Sequence, residues 1–319
     1  IHGVLHDLDY PALTPGQTQE LIYSIMSDKQ KKLFEEKLEL DFSFGMKGIG
    51  RFRANVFMQK GAVAGAFRRF LPSMWSFAQL GIPQRVAQLC YLPRGLVLVT
   101  GPTGCGKSTS LACMIEHINS EREVHVVTIE DPIEYYFTPR KAIINQRELF
   151  ADTHSYNNAL RSVLREDPDV VLVGEMRDQE TVEATLRVAE TGHLTFSTLH
   201  TNSAVESINR IIDIFPSQYQ TQTRIMLSMC LEAVMTQALL PRADGKGRVL
   251  AMELLIPNAA IRNLIRENKV HQIYSSMQMG QEKFGMQTFN QSLANLYARG
   301  LITKETAMSV TSFPEELTD

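Results

Sequence analysis

The chain has 319 residues, 44% of them apolar, and a formal net charge of −3. That is enough for two domains with a sizeable core, and the bulk charge gives no sign of a nucleic acid or other polyanion as partner. No run of about 18 apolar residues occurs, so no segment reads as a membrane-spanning helix, and Cys90, Cys105, Cys113 and Cys230 form neither a CxxC pair nor a metal-ligand spacing, which reads as free thiols in a reducing cytosol.

The sequence opens at Ile1 without a Met and shows no signal peptide, which reads as a trimmed chain. Thr14-Pro15-Gly16-Gln17 predicts a helix start, with Thr14 as cap and Pro15 at the first helical position; Leu21, Ile22, Ile25 and Met26 then share a face. A second helix is expected over Ser27 to Lys37, charged enough to be a solvated face. From Leu40 the period drops to two. Arg51, Arg53, Asn55 and Phe57 fall on one side of a strand, and Phe52, Ala54, Val56 and Met58 on the other. A two-residue turn at Lys60-Gly61 returns the chain through Val63 to Phe70 and sets Arg53 opposite Arg68. Directly opposed like charges destabilise a sheet, so two readings stand: an anion or carboxylates lie between the arginines, or a shifted register leaves each separately solvated. Leu71-Pro72-Ser73 breaks the pattern and opens a linker, 71–77, between a domain over 1–70 and one over 78–319.

Helix is expected from Phe77 to Leu92, interrupted at Gly81-Ile82-Pro83. Gly95 to Thr100 reads as a buried parallel strand and Ser110 to Ile118 as a helix. Between them Gly101-Pro102-Thr103-Gly104-Cys105-Gly106-Lys107-Ser108-Thr109 has the spacing of a phosphate-binding loop. Its glycines let backbone N–H groups wrap phosphate oxygens, and the helix N-terminus adds a favourable dipole. Lys107 reaches the β- and γ-phosphates and Ser108 offers a hydroxyl to Mg²⁺. Gly101, Thr103, Gly104, Cys105, Gly106, Lys107, Ser108 and Thr109 are therefore the candidate nucleotide-binding residues, and the expected ligand is a magnesium nucleoside triphosphate.

Val124 to Ile129, Asp169 to Val173 and Leu194 to Leu199 read as further strands of an α/β sheet. Glu130, Asp131 and Glu134 follow the first, Gly174-Glu175 ends the second, and His193 and His200 bracket the third. Such clusters at strand carboxyl ends belong to the crevice where open α/β sheets bind ligands, and phosphoryl transfer to water needs a carboxylate on the water and oxygen ligands on Mg²⁺. Val170 to Glu175 resembles a Walker B strand, except that Gly174 stands where Asp is expected. The metal and water then fall to Glu175 and to Glu134, Glu130 or Asp131. His193 and His200 are an odd number of residues apart and face opposite sides of one strand, which disfavours a zinc site; sensing of the γ-phosphate, a subunit contact and a core histidine all stand as readings. Later segments read as structural: helices over Ser203 to Ile214, Ser217 to Leu240 and Met286 to Arg299, a strand over Val249 to Leu255, a short helix over Asn258 to Arg266, and a frayed acidic tail over Pro314 to Asp319.

Four blocks in this order resemble the type II/IV secretion and pilus ATPase superfamily. They are the phosphate loop; Thr128-Ile129-Glu130-Asp131-Pro132-Ile133-Glu134, like its aspartate box; Leu164-Arg165-Glu166-Asp167-Pro168-Asp169 to Gly174-Glu175-Met176-Arg177-Asp178, like its Walker B region; and Thr191-Gly192-His193 to Thr198-Leu199-His200-Thr201, like its histidine box. Ala260-Ile261-Arg262-Asn263-Leu264-Ile265-Arg266-Glu267 resembles the signature of the PilT family of twitching-motility retraction ATPases, and the tetracysteine insertion typical of extension ATPases is missing. The resemblance implies an α/β fold, with a RecA-like P-loop ATPase domain preceded by a smaller α/β PAS-like domain that lacks part of its first strands. It implies a ring-shaped homohexamer with ATP between subunits, and Arg53 and Arg68 stand where the family's N-terminal arginines act on the nucleotide. Glu175, Glu134, Arg53, Arg68 and His200 become the expected catalytic residues, His193 joins the nucleotide-binding set, and Mg²⁺ is expected at Ser108, Glu134 and Glu175, partly through water. The implied work is pilus retraction, done in the cytoplasm at the inner membrane, with an inner-membrane platform protein and an accessory retraction ATPase as partners and no direct nucleic acid. An accessory paralogue, an extension or type II secretion ATPase, a nucleic-acid translocase and a non-hydrolysing regulator are the rival readings.

Overall fold

The computed structural model describes residues 6–70 and 75–317, so the expected linker segment Leu71-Pro72-Ser73 lies outside the described residues. The chain forms two compact units, Ile1–Ser73 and Met74–Asp319.

In the first unit, α1 (Pro15–Ser24) and α2 (Asp28–Lys37) each start at a reciprocal cap. Thr14 and Ser27 accept the N–H of Gln17 and Gln30, whose side chains reach back to the cap N–H. β1 (Glu39–Met46), β2 (Gly50–Gln59) and β3 (Ala62–Arg69) form an antiparallel sheet in that order. Its core is Ala54, Val56 and Val63 packed with Ile22, Met26, Phe34 and Phe42. The hairpin pairs Arg53 directly with Arg68, so both arginines share one face.

The second unit opens with α3 (Phe77–Leu80), capped by Ser76, and α4 (Gln84–Leu89), split at Gly81, which closes α3 with a positive φ. Strands and helices then alternate: β4 (Gly95–Thr100), α5 (Lys107–Glu121), β5 (His125–Glu130), β6 (Ile143–Glu148), α6 (Tyr156–Val163), β7 (Val170–Val173), α7 (Gln179–Glu190), β8 (Leu194–Leu199), α8 (Ala204–Asp213), α9 (Ser217–Cys230), β9 (Leu231–Pro241) and β10 (Arg248–Leu255). After them come α10 (Ala259–Arg266), α11 (Ile273–Met279), α12 (Gln281–Phe284), α13 (Phe289–Ala298) and α14 (Lys304–Val310). The seven strands lie in the order β10-β9-β4-β8-β7-β5-β6. All pairings are parallel except β9 with β10.

Every residue of β4 is buried. Leu96 and Leu98 face Leu186, Ile208 and Leu227 of α7, α8 and α9, while Val97 and Val99 face Leu111, Met114 and Ile115 of α5. Each such side chain gains about 1.5–3 kcal/mol from leaving water, which fixes β4, and the loop that follows it, between two helical layers.

Three sequence expectations change. Ser217 to Leu240 is not one helix: α9 stops at Cys230 and Leu231 turns into β9. The apolar run Leu231 to Leu240 suits either period, but here Leu231 and Val234 enter one face of the core and Ala233 and Met235 the other, an arrangement only a strand inside a sheet provides. Likewise Met286 to Arg299 shortens to α13, which starts after the Thr288 cap. In the acidic tail, of which 318 and 319 lie outside the described residues, Pro314 to Leu317 is held rather than frayed: Glu316 accepts from Tyr274 Oη at 2.8 Å, Gln278 Nε2 at 2.9 Å and Asn290 Nδ2 at 3.0 Å, and the preceding Phe313 stacks on Tyr274.

Candidate nucleotide site

Parallel register brings four strand ends to one edge of the sheet. Thr100 pairs with Leu199, Val173 with Ser197, and Ile129 with Val173. Gly101, His200, Glu175 and Glu130 therefore emerge side by side, in the crevice that open parallel sheets use for ligands.

The loop after β4 turns on Gly101 (φ 133°), Gly104 (φ 81°) and Gly106 (φ 94°). At Gly101 a Cβ would lie 2.3 Å from the Gln237 carbonyl oxygen and 2.7 Å from Cys105 Sγ, so only glycine lets the strand leave along β9. Gly106 caps α5, which begins at Lys107, three residues earlier than the sequence predicts. The first N–H groups of a fifteen-residue helix thus open beside the loop. Lys107 is buried; its Nζ donates to the carbonyls of Gly101 (2.7 Å) and Pro102 (3.1 Å) and lies 3.4 Å from His200 Nδ1. Burial holds its pKa below the ordinary lysine value, with Cys105, Glu175 and Glu134 pulling the other way. Cys105 is buried under the loop with its thiol pushed up by desolvation, so it is a packing group and not a reactive thiolate. Thr103 and Gly104 are exposed, Ser108 is half-buried, and Thr109 bonds Tyr135 Oη at 3.0 Å.

Glu175 links the strand ends. Its Oε1 lies 2.9 Å from His200 Nε2 and its Oε2 2.9 Å from Arg177 Nη2. The His200 tautomer with its proton on Nε2 donates to Glu175 and leaves Nδ1 to accept from Lys107. Lys107, His200, Glu175 and Arg177 form one continuous polar chain. Glu130 accepts from Thr128 Oγ1 at 2.7 Å and Gln146 Nε2 at 3.3 Å, and burial pushes its carboxyl up to about 7. Gln146 and Glu148 also accept the N–H groups of Phe137 and Ile133, which fastens the segment carrying Asp131 and Glu134 to β6.

His193 is not brought to this group. It precedes β8 at the other edge of the sheet, where its carbonyl takes the N–H of Gly95 and its Nδ1 lies 3.0 Å from the Val188 carbonyl. Six residues of strand, about 20 Å, separate it from His200. Within its own unit His193 therefore lies apart from Lys107, His200 and Glu175. Arg53 and Arg68 belong to the first unit. Arg68 is exposed, and Arg53 Nε lies 3.8 Å from Asp41 Oδ1, a carboxylate on the same sheet. Sequence reasoning missed Arg177, Gln146, Tyr135 and Tyr156; Arg177 stood inside a motif already quoted, and the others carry no local signal.

The family model for type II/IV secretion system protein matches residues 1–307. The type IV pilus retractation ATPase PilT of Pseudomonas aeruginosa is 48% identical over 99% of this chain and 91% of its own length, and a twitching motility protein of Neisseria gonorrhoeae is 48% identical over 96% and 82%. The crystal structure of the pilus retraction motor PilT with bound ADP superposes with a TM-score of 0.90 at 57% identity, covering 97% of this chain and 88% of that one. The chain belongs to the PilT family of pilus retraction ATPases.

In this PilT-family chain the Walker B glycine has a steric cause. A Cβ on Gly174 would stand 2.9 Å from Tyr156 Oη, 3.2 Å from the Ile129 carbonyl oxygen and 3.4 Å from Glu130 Cα. Gly174 also donates its N–H to Ile129 and accepts from Thr198 Oγ1 at 2.6 Å, so the backbone is held against β5 and β8. A side chain there would have to displace the Tyr156 hydroxyl and press on the Ile129 carbonyl. Further along, Arg262 of the PilT-like segment donates to the Ser228 and Met229 carbonyls and to Glu232 Oε1 at 2.9 Å, which closes the exposed end of α9 with a cation. Among the described residues no helix is long and apolar enough to cross a membrane.

Proposed function

We propose that this ATPase hydrolyses magnesium ATP as a ring-shaped homohexamer and drives pilus retraction, with the nucleotide shared between subunits. The observation that carries the proposal is the polar chain from Lys107 through His200 and Glu175 to Arg177, beside the glycine loop that leads into the N-terminus of α5. The donors there, the Ser108 hydroxyl and the carboxylates of Glu175, Glu134, Glu130 and Asp131, are hard oxygens that fit Mg²⁺. A bound Mg²⁺ would neutralise charge on the phosphates and orient them. Lys107 leaves its loop carbonyls to meet the β- and γ-phosphates, Glu175 holds the attacking water, and His200 couples the two by touching both. Glu134 would help Ser108 and Glu175 hold the metal.

Arg53 and Arg68 supply positive charge to the transferred phosphoryl group, where preorganised cations contribute most. In the cell the motor meets an inner-membrane platform protein and works beside an accessory retraction ATPase, on the cytoplasmic side. The near full-length likeness to retraction ATPases supports this over an extension role. The test is steady-state hydrolysis against protein concentration, with Arg53→Ala beside wild type. Specific activity should rise as the ring assembles, and the variant should bind ATP yet turn it over at least about 100-fold more slowly, as loss of an arginine finger does. Activity flat with concentration and unchanged in Arg53→Ala would remove the shared site.

A further inference from the structure

Ser207 is a hydroxyl on an apolar face. It lies on the buried side of α8 with Ala204, Ile208, Ile211 and Ile212, where a polar group costs free energy unless it finds partners. Ser207 finds them among residues next to two strand ends. Its Oγ donates to the Ser203 carbonyl at 2.7 Å and lies 2.6 Å from Thr201 Oγ1. A hydroxyl has one proton, so Thr201 is the donor in the second bond. Thr100 Oγ1, which lies 2.9 Å from Thr236 Oγ1, stands 3.5 Å from Ser207 Oγ. Thr100 precedes Gly101 and Thr201 follows His200, so the serine sits where the phosphate loop and the histidine beside Lys107 both leave the sheet. The helix that carries it is itself pinned, because the buried carboxylate of Glu253 on β10 accepts the Ala204 N–H at 2.6 Å.

His200 depends on such support. Its side chain is 47% exposed, so packing does not set the ring. The contacts with Glu175 and Lys107 do, and they reach only from a backbone that presents the ring at the right place. Before His200, Leu199 is held by its pairing with Thr100. After it, Thr201 is held by Ser207.

We propose that Ser207 is a positioning residue of the nucleotide site: through Thr201 it fixes His200 between Lys107 and Glu175. The inference rests on the part in turnover given to His200 above. A misplacement of about 1 Å in such a site can cost about 100-fold in rate.

The test uses the full chain with three variants: Ser207→Ala; Thr201→Val, which keeps the shape of the side chain without its hydroxyl; and Thr201→Ser, which keeps the hydroxyl. Thermal unfolding, kcat and KM for ATP, and the ring signals of isotope-labelled histidine are compared with wild type. The His200 and His193 signals are those that disappear in His200→Gln and His193→Gln. Ser207→Ala and Thr201→Val should keep KM within about twofold and lower kcat at least about tenfold. They should also move the His200 signal while that of His193, at the other edge of the sheet, stays. Thr201→Ser should restore both kcat and signal. An unchanged kcat with an unmoved His200 signal overturns the proposal. So does a Thr201→Ser that fails as Thr201→Val does, or a pair of variants that melt early and shift both histidines, since the hydroxyls then serve packing alone. A His200 signal that moves while kcat keeps its wild-type value leaves the hold on His200 standing and overturns instead the part in turnover given to His200.

Discussion

Restoring the missing Walker B carboxylate should damage this protein. Gly174→Ala puts a methyl 2.9 Å from Tyr156 Oη and 3.2 Å from the Ile129 carbonyl, and the backbone cannot retreat, because Gly174 is hydrogen-bonded to β5 on one side and to Thr198 on the other. Overpacking of this kind costs about 1–3 kcal/mol, which for a unit of this size lowers Tm by roughly 2–4 °C per kcal/mol. Gly174→Asp meets the same crowding and sets a fresh charge beside Glu130, so it should fall further and lose turnover rather than gain it. Thermal and urea unfolding of the full chain read the effect. Pairing Gly174→Ala with Tyr156→Phe removes the nearest atom but leaves the 3.2 Å and 3.4 Å contacts; the double variant should recover about 0.5–1.5 kcal/mol relative to additivity. A Gly174→Ala protein as stable as wild type, or a Gly174→Asp protein with faster turnover, would refute the steric account.

Two further outcomes follow from the same edge of the sheet. Lys107→Ala should reduce hydrolysis more than about 100-fold, the scale expected when a cation on the transferred phosphate is lost, and near-normal turnover would sink the assignment. Glu130 gives a pH signature: its carboxyl holds a proton up to about 7, against an ordinary 4.5, so between those values the folded chain binds more protons than the unfolded one. Stability then falls as pH rises through that window, by up to about 3 kcal/mol at 1.36 kcal/mol per unit. Glu130→Gln should flatten the slope in urea titrations from pH 4.5 to 7.5; some slope should persist, because burial raises Glu232 and Glu253 in the same direction, and an unchanged slope would contradict the burial argument.

What the sequence made legible was whatever local chemistry dictates. The phosphate loop needs glycine at fixed offsets, and Thr14 announces its helix by capping. The two-residue turn at Lys60-Gly61 sets the Arg53–Arg68 register by arithmetic alone. What stayed hidden depends on neighbours distant in the chain. Leu231 to Leu240 reads as helix until β4 and β10 flank it. His193 and His200 look equivalent until parallel pairing sends them to opposite edges. Glu316 looks like solvent charge until Tyr274, Gln278 and Asn290 converge on it. Tyr156 carries no motif, and only the packing of α6 on β5 and β7 brings its hydroxyl against Gly174.

The charges within each unit bear on the proposed role of Arg53 and Arg68. At the sheet edge Glu130, Asp131, Glu134 and Glu175 gather around Lys107, Arg177 and His200, and a triphosphate brought there adds several negative charges more. Mg²⁺ offsets part of this, yet the developing charge on the transferred group still needs cations that arrive already oriented. In the first unit two arginines stand directly opposed on a small sheet, an arrangement a sheet does not favour by itself, with Asp41 at 3.8 Å from one of them. An anion is what relieves such a pair. If Arg53→Ala changes only stability, raising it as the like-charge repulsion disappears, the arginines are a local accident. If it leaves stability alone or lowers it while turnover collapses with ATP still bound, the repulsion was being held in readiness for the phosphoryl group.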